Sequence, residues 1–205
     1  MHPKVVSAEG WKTVRKLVAQ GWSDRFTLAG GTALALHLGH RYSEDLDFFE
    51  PDPFDPSEIL GRLTDIGHVV VQSRSSETLH ALVDGLRLSF LRARAPLLYP
   101  GIGYRGLSVA DPRDIAVMKL VAIGGRGSRK DFVDLYFYLR AGTTLGTVFE
   151  LLKRRFTEVD YNEYHLLKSV VFFGDAENEP MPRMIRDVEW DEVKGRLRSE
   201  VRSLS

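Results

Sequence analysis

The 205-residue sequence contains no cysteine, which excludes disulfides and metal sites built from thiolates. It has no excess of either charge, because 28 Lys and Arg residues balance 28 Asp and Glu residues. A bulk attraction to nucleic acid is therefore excluded, and any polyanion must meet a local basic cluster. No segment reaches about 18 uninterrupted apolar residues, and residues 1–12 lack the apolar core of a secretory signal. We therefore expect a cytoplasmic protein with no membrane partner.

The hydrophobic share of 43% and charged share of 27% are typical of a globular protein. Strand and helix patterns alternate up to about residue 108, and helical patterns dominate afterwards. We predict an α+β fold, in which a mixed sheet with flanking helices (residues 1–108) precedes a helical part (109–205) that completes a cleft. Helices are predicted at 7–20, 33–38, 57–66, 112–123, 130–140, 144–156, 161–172 and 190–203. Strands are predicted at 26–29, 45–49, 69–74, 78–83 and 86–92, and loops at 93–105 and 174–187.

A glycine turn, Gly30-Gly31-Thr32, lies between an apolar strand pattern and a short helical pattern. The beginning of a helix presents free backbone N–H groups to an anion, and glycine lets a phosphate approach the backbone closely. This segment therefore indicates a phosphate site. The alternative is an ordinary tight turn without a ligand.

The segment Asp45-Leu46-Asp47-Phe48 places two carboxylates two residues apart. In a strand, such residues point to the same face, so Asp45 and Asp47 would project together. Paired carboxylates repel each other and are tolerated mainly where they bind cations, and their hard oxygen ligands suit Mg²⁺. The alternative is a charged pair on an edge strand or in a solvated turn.

Both motifs together resemble a known signature. Gly30-Gly31, thirteen intervening residues and Asp45-Leu46-Asp47-Phe48 resemble the polymerase-β-like nucleotidyltransferases. The longer string GGTALALHLGHRYSEDLDFF resembles the AbiEii/AbiGii family of nucleotidyltransferase toxins, the enzyme half of bacterial toxin–antitoxin and phage-defence pairs. The matching motif residues beyond the glycines are Arg41, Ser43, Asp45, Leu46, Asp47 and Phe48.

A second segment extends the resemblance. Asp111 and Pro112 are typical of a helix start, and Lys119 lies on the helix that they begin. The string that follows, from Arg129 to Tyr136, contains Lys-Asp-x-x-Asp-Leu, and its Asp131 and Asp134 are neighbours on one helix face. The alternative for Lys119 is a surface lysine, and the alternative for the two aspartates is a charge in the first helical turn with a surface ion pair to Lys130 or Arg129.

The resemblance implies a nucleotidyltransferase that needs Mg²⁺ or Mn²⁺ and takes a nucleoside triphosphate. The acceptor would be RNA, such as tRNA, or a protein, and an antitoxin would be the partner. The implied catalytic residues are Asp45, Asp47, Lys119 and Asp131, with Asp45 and Asp47 also binding the metal. The implied nucleotide-binding residues are Gly30, Gly31, Thr32, Ser43, Lys119 and Asp134. The alternative is an inactive protein of the same fold that binds nucleotides or a partner.

One position departs from the superfamily pattern. Polymerase-β-like enzymes commonly carry a third carboxylate on the strand beside the acid pair, whereas the strand Leu86–Arg92 contains no acid. Its residues Arg87 and Ser89 share one face. Either Asp131 replaces the missing carboxylate, or the site uses fewer protein ligands.

The basic residues form three local groups, at 126–130, 153–155 and 194–202. The first group adjoins Asp131, so it is the better candidate for contacting phosphates. The alternative to phosphate binding is an ordinary solvated helix face, and it is preferred for the group at 194–202. His37 is interpreted as a residue of a helix face, since it has no nucleophile at a recognisable spacing.

Overall fold

The computed structural model describes residues 1–21, 25–93, 95–158 and 161–204. The helices are α1 (Ala8–Ala19), α2 (Gly30–Leu38), α3 (Pro56–Thr64), α4 (Pro112–Gly125), α5 (Arg129–Arg140), α6 (Leu145–Arg155), α7 (Glu163–Val171) and α8 (Trp190–Arg202). The strands are β1 (Thr27–Ala29), β2 (Asp45–Glu50), β3 (Val69–Arg74), β4 (Thr78–Val83), β5 (Leu86–Arg92), β6 (Ile102–Tyr104) and β7 (Leu107–Val109). Short 3₁₀ helices occur at Pro3–Val5 and Ala176–Asn178. In these ranges no helix is both long and apolar enough to cross a bilayer.

The seven strands form one mixed sheet in the order β3-β4-β5-β2-β1-β7-β6. The central strand β2 pairs parallel with β5 and antiparallel with β1, and β1 pairs parallel with β7. The remaining neighbours are antiparallel. This mixed sheet with flanking helices confirms the predicted α+β fold.

Strand β2 shows the alternation expected of a strand with one buried face. Leu46 and Phe48 are buried, and the Phe48 ring stacks on that of Phe90 with centroids 5.3 Å apart. Asp45 and Asp47 lie on the opposite, half-exposed face. The apolar face therefore fixes the strand's orientation and turns both carboxylates outward together.

Local chemistry explains where several elements begin and end. Gly39 adopts the left-handed conformation (φ 64°) that ends α2. The Asp111 carboxylate accepts a hydrogen bond from the Arg113 N–H at 2.9 Å and caps α4, with Pro112 in the first turn. Asp84 and Gly85 both have positive φ, as the tight turn between β4 and β5 requires. The helix start predicted at Asp111 and Pro112 is thereby confirmed.

Two local expectations were wrong. Strand β6 lies within the predicted loop 93–105, and β7 was not predicted, because elements of three residues beside Gly101, Gly103 and Gly106 show no readable alternation. Helix α2 begins at Gly30 rather than at Ala33, so the glycines form its first turn instead of a turn before it. The free N–H groups of that first turn remain, since the flanking Ala29 has no capping side chain.

The buried apolar side chains form one cluster that includes residues of the sheet and of the later helices. Leu28, Leu46 and Phe90 contribute from the strands, and Ile115 and Leu135 contribute from α4 and α5. Helices α4 and α5 pack on α2 beside the central strands. The boundary between residues 108 and 109 stays a prediction.

Phe90 provides a test of this packing. Its side chain is 0% exposed and stacks on Phe48, beside the carboxylate-bearing strand. Phe90→Ala should lower the free energy of unfolding by about 3–5 kcal/mol, because it removes buried area and leaves a cavity. Urea denaturation would measure the change. The control is Phe172→Ala, since Phe172 is 63% exposed and its truncation should have little effect. Equal effects in the two variants would contradict the packing described.

Candidate active site

A cleft of about 570 Å³ opens on the half-exposed face of β2. Its walls come from the first turn of α2, the segment 41–44, strands β2 and β5, and the facing residues of α4 and α5. The lining residues are Gly30, Gly31, Thr32, Arg41, Tyr42, Ser43, Glu44, Asp45, Asp47, Phe49, Arg87, Met118, Lys119, Ala122, Arg126, Lys130, Asp131 and Arg183. Nearly all of the predicted site residues therefore meet in one cleft.

The two glycines are required by close contacts at the start of α2. Gly30 has φ +64°, and a Cβ added there would lie 2.7 Å from Asp47 Oδ2. A Cβ at Gly31 would collide with the Arg41 guanidinium and lie 3.2 Å from Asp134 Oδ2. A side chain at either position would push the carboxylate or the guanidinium away. The glycines thus place a carboxylate directly beside the free N–H groups of the helix.

The paired carboxylates of β2 are accessible from the cleft. Asp45 Oδ1 lies 3.5 Å from Arg87 Nη1, and Asp45 Oδ2 lies 3.6 Å from Lys130 Nζ. Asp47 lies against Gly30 and has no ion pair in the described ranges. Both carboxylates are half-exposed, so their oxygens can take a further ligand.

Two hydroxyls link the start of α2 to the start of β2. Thr32 Oγ1 lies 2.6 Å from Ser43 Oγ and also contacts the backbone carbonyl of Asp45. Arg41 Nη1 donates to Ser43 Oγ at 3.3 Å. Both hydroxyls are buried, so their main contacts are within the protein. They hold the glycine turn and the acid pair in a fixed relation.

Asp134 lies beneath the cleft at the centre of a buried charge network. Its carboxylate accepts hydrogen bonds from Arg41 Nε at 2.7 Å and Arg41 Nη2 at 2.9 Å, and lies 2.6 Å from Lys119 Nζ. His40 Nε2 lies 2.8 Å from the same carboxylate. Burial alone would raise the pKa of Asp134, but Arg41 and Lys119 outweigh it and hold that pKa well below its ordinary value.

Lys119 bridges two carboxylates within this network. Its Nζ lies 2.7 Å from Asp131 Oδ1 and 2.6 Å from Asp134 Oδ2. Burial alone would lower the pKa of Lys119, yet the two aspartates raise it, so the side chain stays cationic. Arg126 Nη2 lies 3.5 Å from Asp131 Oδ2 at the cleft rim. The alternatives of a surface lysine and of surface pairs for the two aspartates are therefore wrong.

The strand beside the acid pair carries no replacement for the missing carboxylate. In the register of β2 and β5, Arg87 lies beside Asp45 and Ser89 beside Asp47. Ser89 Oγ is 3.0 Å from His80 Nδ1. Within the described residues, no three or more Asp, Glu, His or Cys side chains are grouped closely enough to hold a metal. A third ligand from Asp131 and a site with fewer protein ligands therefore both stay predictions.

Two carboxylates nevertheless fit one kind of ion. Mg²⁺ dehydrates reluctantly and is usually bound by one or two carboxylates, with waters and substrate phosphates completing its shell. Asp45 and Asp47 offer hard oxygen ligands on one face, exposed to a cleft with room for a substrate. The donor set therefore suits Mg²⁺, or Mn²⁺, better than a structural metal with a full protein shell.

Sequence reasoning missed two contributions. Buried His40 orients Asp134, and its Nδ1 has no hydrogen-bond partner in the described ranges, while burial lowers its pKa. The second is a segment at residues 183–186, here named the strap, which pairs with the backbone at 40–42. Tyr42 N–H donates to the Arg183 carbonyl at 2.8 Å, and Ile185 N–H donates to the His40 carbonyl at 2.9 Å. The strap lies in a predicted loop, about 140 residues downstream, where no pattern signals it.

Other single-residue interpretations have mixed outcomes. His37 is half-buried on α2, and its Nε2 lies 2.9 Å from the Ala110 carbonyl, as expected for a helix-face residue. Lys130 and Arg126 of the first basic group line the cleft, whereas Arg129 donates to the carbonyls of Ala176 and Glu177. Only part of that group is therefore available to a ligand.

Substitution of Asp134 tests the buried network. Asp134→Asn leaves Arg41 buried without its carboxylate, and should lower the free energy of unfolding by about 3–5 kcal/mol at neutral pH. The pKa of Asp134 is depressed in the folded state. The loss of unfolding free energy relative to wild type should therefore reach its maximum at pH values above the ordinary aspartate pKa of 3.8. It should shrink as the pH falls below that value. Urea denaturation across this pH range would measure it.

The matched control for this test is Glu9→Gln. Glu9 and Lys12 form an exposed pair at 3.7 Å, so its loss should leave stability nearly unchanged. The role given to Asp134 would be contradicted if Asp134→Asn and Glu9→Gln had the same free energy of unfolding at every pH.

Comparisons with known proteins show to which family the chain belongs. The family model for the nucleotidyl transferase AbiEii toxin of type IV toxin–antitoxin systems matches residues 13–97 and 91–203. An uncharacterized protein of Aquifex aeolicus (strain VF5) is 38% identical over 198 residues, which cover 93% of each chain.

Solved structures show the same fold. A putative nucleotidyltransferase from H. pylori superposes with a TM-score of 0.56 at 18% identity, covering 97% of this chain and 95% of that one. MenT4, a nucleotidyltransferase toxin from Mycobacterium tuberculosis H37Rv, superposes with a TM-score of 0.56 at 21% identity, covering 95% of this chain and 84% of that one. The family resemblance read from the sequence is thus confirmed: the chain is a nucleotidyltransferase and belongs to the AbiEii toxin family.

Proposed function

We propose that this nucleotidyltransferase moves a nucleoside monophosphate from a nucleoside triphosphate to a hydroxyl group of an RNA acceptor, such as tRNA. The observation that carries the proposal is the contact between the acid pair and the glycine start of α2. Asp47 lies against Gly30, where a Cβ would come within 2.7 Å of its carboxylate. A phosphate-binding helix terminus and a metal-binding acid pair are thereby neighbours in one cleft.

The triphosphate is assigned to the start of α2. The N–H groups of Gly30, Gly31 and Thr32 have no partner inside the helix, and the helix dipole adds positive potential there. Ser43 and Thr32 hold this turn, since their hydroxyl oxygens lie 2.6 Å apart. Lys119 is held in the cleft wall by Asp131 and Asp134. We propose that it offsets the negative charge that develops on the leaving pyrophosphate.

The metal is assigned to Asp45 and Asp47, whose oxygens suit Mg²⁺ or Mn²⁺. When bound, such an ion would offset phosphate charge and favour in-line displacement at the α-phosphorus. In that displacement the acceptor oxygen bonds to the α-phosphorus, the bond to the β-phosphate oxygen breaks, and pyrophosphate leaves. Asp131 lines the cleft, and we propose that its carboxylate accepts the proton that the acceptor hydroxyl loses.

A polyanionic acceptor is favoured by the charges of the cleft. The net charge of the chain is zero, yet six basic and four acidic side chains line the cleft. Arg87, Arg126 and Lys130 are exposed or half-exposed there and can reach phosphates outside the acid pair. The type IV designation of the family implies an antitoxin partner, which we propose to control this activity in the cell.

The proposal predicts a labelling result. With each of the four α-³²P nucleoside triphosphates, Mg²⁺ and total cellular RNA, label should enter one class of RNA. Asp47→Asn should reduce labelling by about 10³-fold, because the substitution removes metal-binding charge worth several kcal/mol in the transition state. Asp52→Asn, at an exposed aspartate outside the cleft, is the matched control and should keep full activity.

Full labelling by both Asp45→Asn and Asp47→Asn would contradict the site assignment. Nucleotide binding without label or pyrophosphate would instead support the alternative of an inactive binding protein. Pyrophosphate release without labelled RNA would point to a protein acceptor.

Removal of metal gives an independent prediction. Excess EDTA should abolish labelling, and added Mg²⁺ or Mn²⁺ should restore it, because two carboxylates and a triphosphate supply oxygen ligands only. The same treatment should leave the urea midpoint of the nucleotide-free protein unchanged, since no full protein shell for a structural metal was found in the described ranges. Labelling that persists in EDTA would contradict the metal assignment.

A further inference from the structure

Arg183 reaches the cleft from outside both motif segments. It lies in the strap, between the 3₁₀ helix Ala176–Asn178 and α8, and it is one of the residues that line the cleft. The guanidinium carbon is 4.2 Å from the ring centroid of Tyr42, another residue that lines the cleft. Such stacking orients the planar guanidinium without neutralising its charge.

The backbone around Arg183 is fixed by the segment that leads into the acid pair. The Arg183 carbonyl accepts from Tyr42 N–H at 2.8 Å, and Met184 forms a β-bridge with Arg41. The N–H groups of Ile185 and Arg186 both donate to the His40 carbonyl, at 2.9 and 3.0 Å. Arg183 is therefore held in place by its backbone as well as by its ring contact.

Arg183 differs from the other cations of the cleft, because no carboxylate of the described residues pairs with it. The five other basic side chains of the cleft each lie within 4.0 Å of a carboxylate; they are Arg41, Arg87, Lys119, Arg126 and Lys130. In the part of the chain that is described, the ring of Tyr42 is the partner of Arg183, and no carboxylate contacts it. Arg183 is exposed, with an anchored backbone and no carboxylate partner in the described ranges, so its charge is suited to an anionic group of a ligand in the cleft.

The position of Arg183 indicates which end of the ligand it meets. Tyr42 directly precedes Ser43, and Ser43 Oγ lies 2.6 Å from Thr32 Oγ1 in the first turn of α2. The cations beside the acid pair are different residues, Arg87 and Lys130. Arg183 is thus anchored to the segment that leads through Ser43 to the first turn of α2, where the proposed function puts the phosphates, and its fork matches two oxygens of a terminal phosphate.

We infer that Arg183 binds the γ-phosphate of the nucleoside triphosphate and makes the site select triphosphates over diphosphates. This inference rests on the proposed function, because it needs a nucleotide in this cleft. Arg183 would contact the part of the substrate that leaves as pyrophosphate. We therefore expect it to strengthen the binding of the nucleoside triphosphate.

Calorimetry can test the inference without turnover. The probes are the α,β-methylene analogues of ATP, CTP, GTP and UTP with Mg²⁺, which the enzyme cannot cleave, together with the four nucleoside diphosphates. For the nucleoside that binds, Arg183→Gln should weaken triphosphate binding by about 10-fold or more, as expected for loss of a charge-assisted pair. Diphosphate binding should be unchanged. Arg183→Lys, which keeps the charge and loses the fork, should show an intermediate loss.

The matched control is Arg186→Gln. Arg186 lies on the same strap, but its guanidinium stacks over Phe137 at 5.2 Å and does not line the cleft. Arg186→Gln should bind triphosphate and diphosphate with wild-type affinity. The urea midpoints of the Arg183 variants should differ from the wild-type midpoint by no more than that of Arg186→Gln does. Equal affinity of Arg183→Gln and wild type, or an equal loss for triphosphate and diphosphate, would overturn the inference alone. Wild-type protein that binds no triphosphate analogue would overturn the proposed function and the inference together.

Discussion

The buried pairing of Asp134 with Arg41 and Lys119 is the interaction on which the rest of the site depends. Two cations and a histidine converge on one carboxylate that has no access to water. Charges buried in this way are tolerated only when each is matched. The network therefore joins the segment before the acid pair to helices α4 and α5, and it fixes the relative positions of the cleft walls.

Close approach is the second constraint. The helix start, the acid pair and the guanidinium of Arg41 occupy space that side chains at Gly30 and Gly31 would fill. The glycine pair, predicted from the sequence to be a turn, is the start of a helix that packs against charged groups. The anion-binding property of a helix start and the cation-binding property of a carboxylate pair are thus combined within one small volume.

Much of this was predictable because it depends on local patterns. The Asp111 cap, the Asp84–Gly85 turn and the shared face of Asp45 and Asp47 each follow from the chemistry of a few adjacent residues. The short strand β6 was not predictable, since three residues carry too little alternation. Nor were the burial of His40 or the strap at 183–186, because both depend on contacts between segments far apart in sequence, which no local pattern encodes.

The strap has a consequence for how the protein is made. Its hydrogen bonds to the backbone of His40 and Tyr42 join segments about 140 residues apart, and α4 and α5 also contribute walls to the cleft. During synthesis, the motif that carries the acid pair leaves the ribosome long before the residues that complete its surroundings. A nascent chain of this toxin family member therefore lacks the assembled cleft until the residues of the strap have emerged.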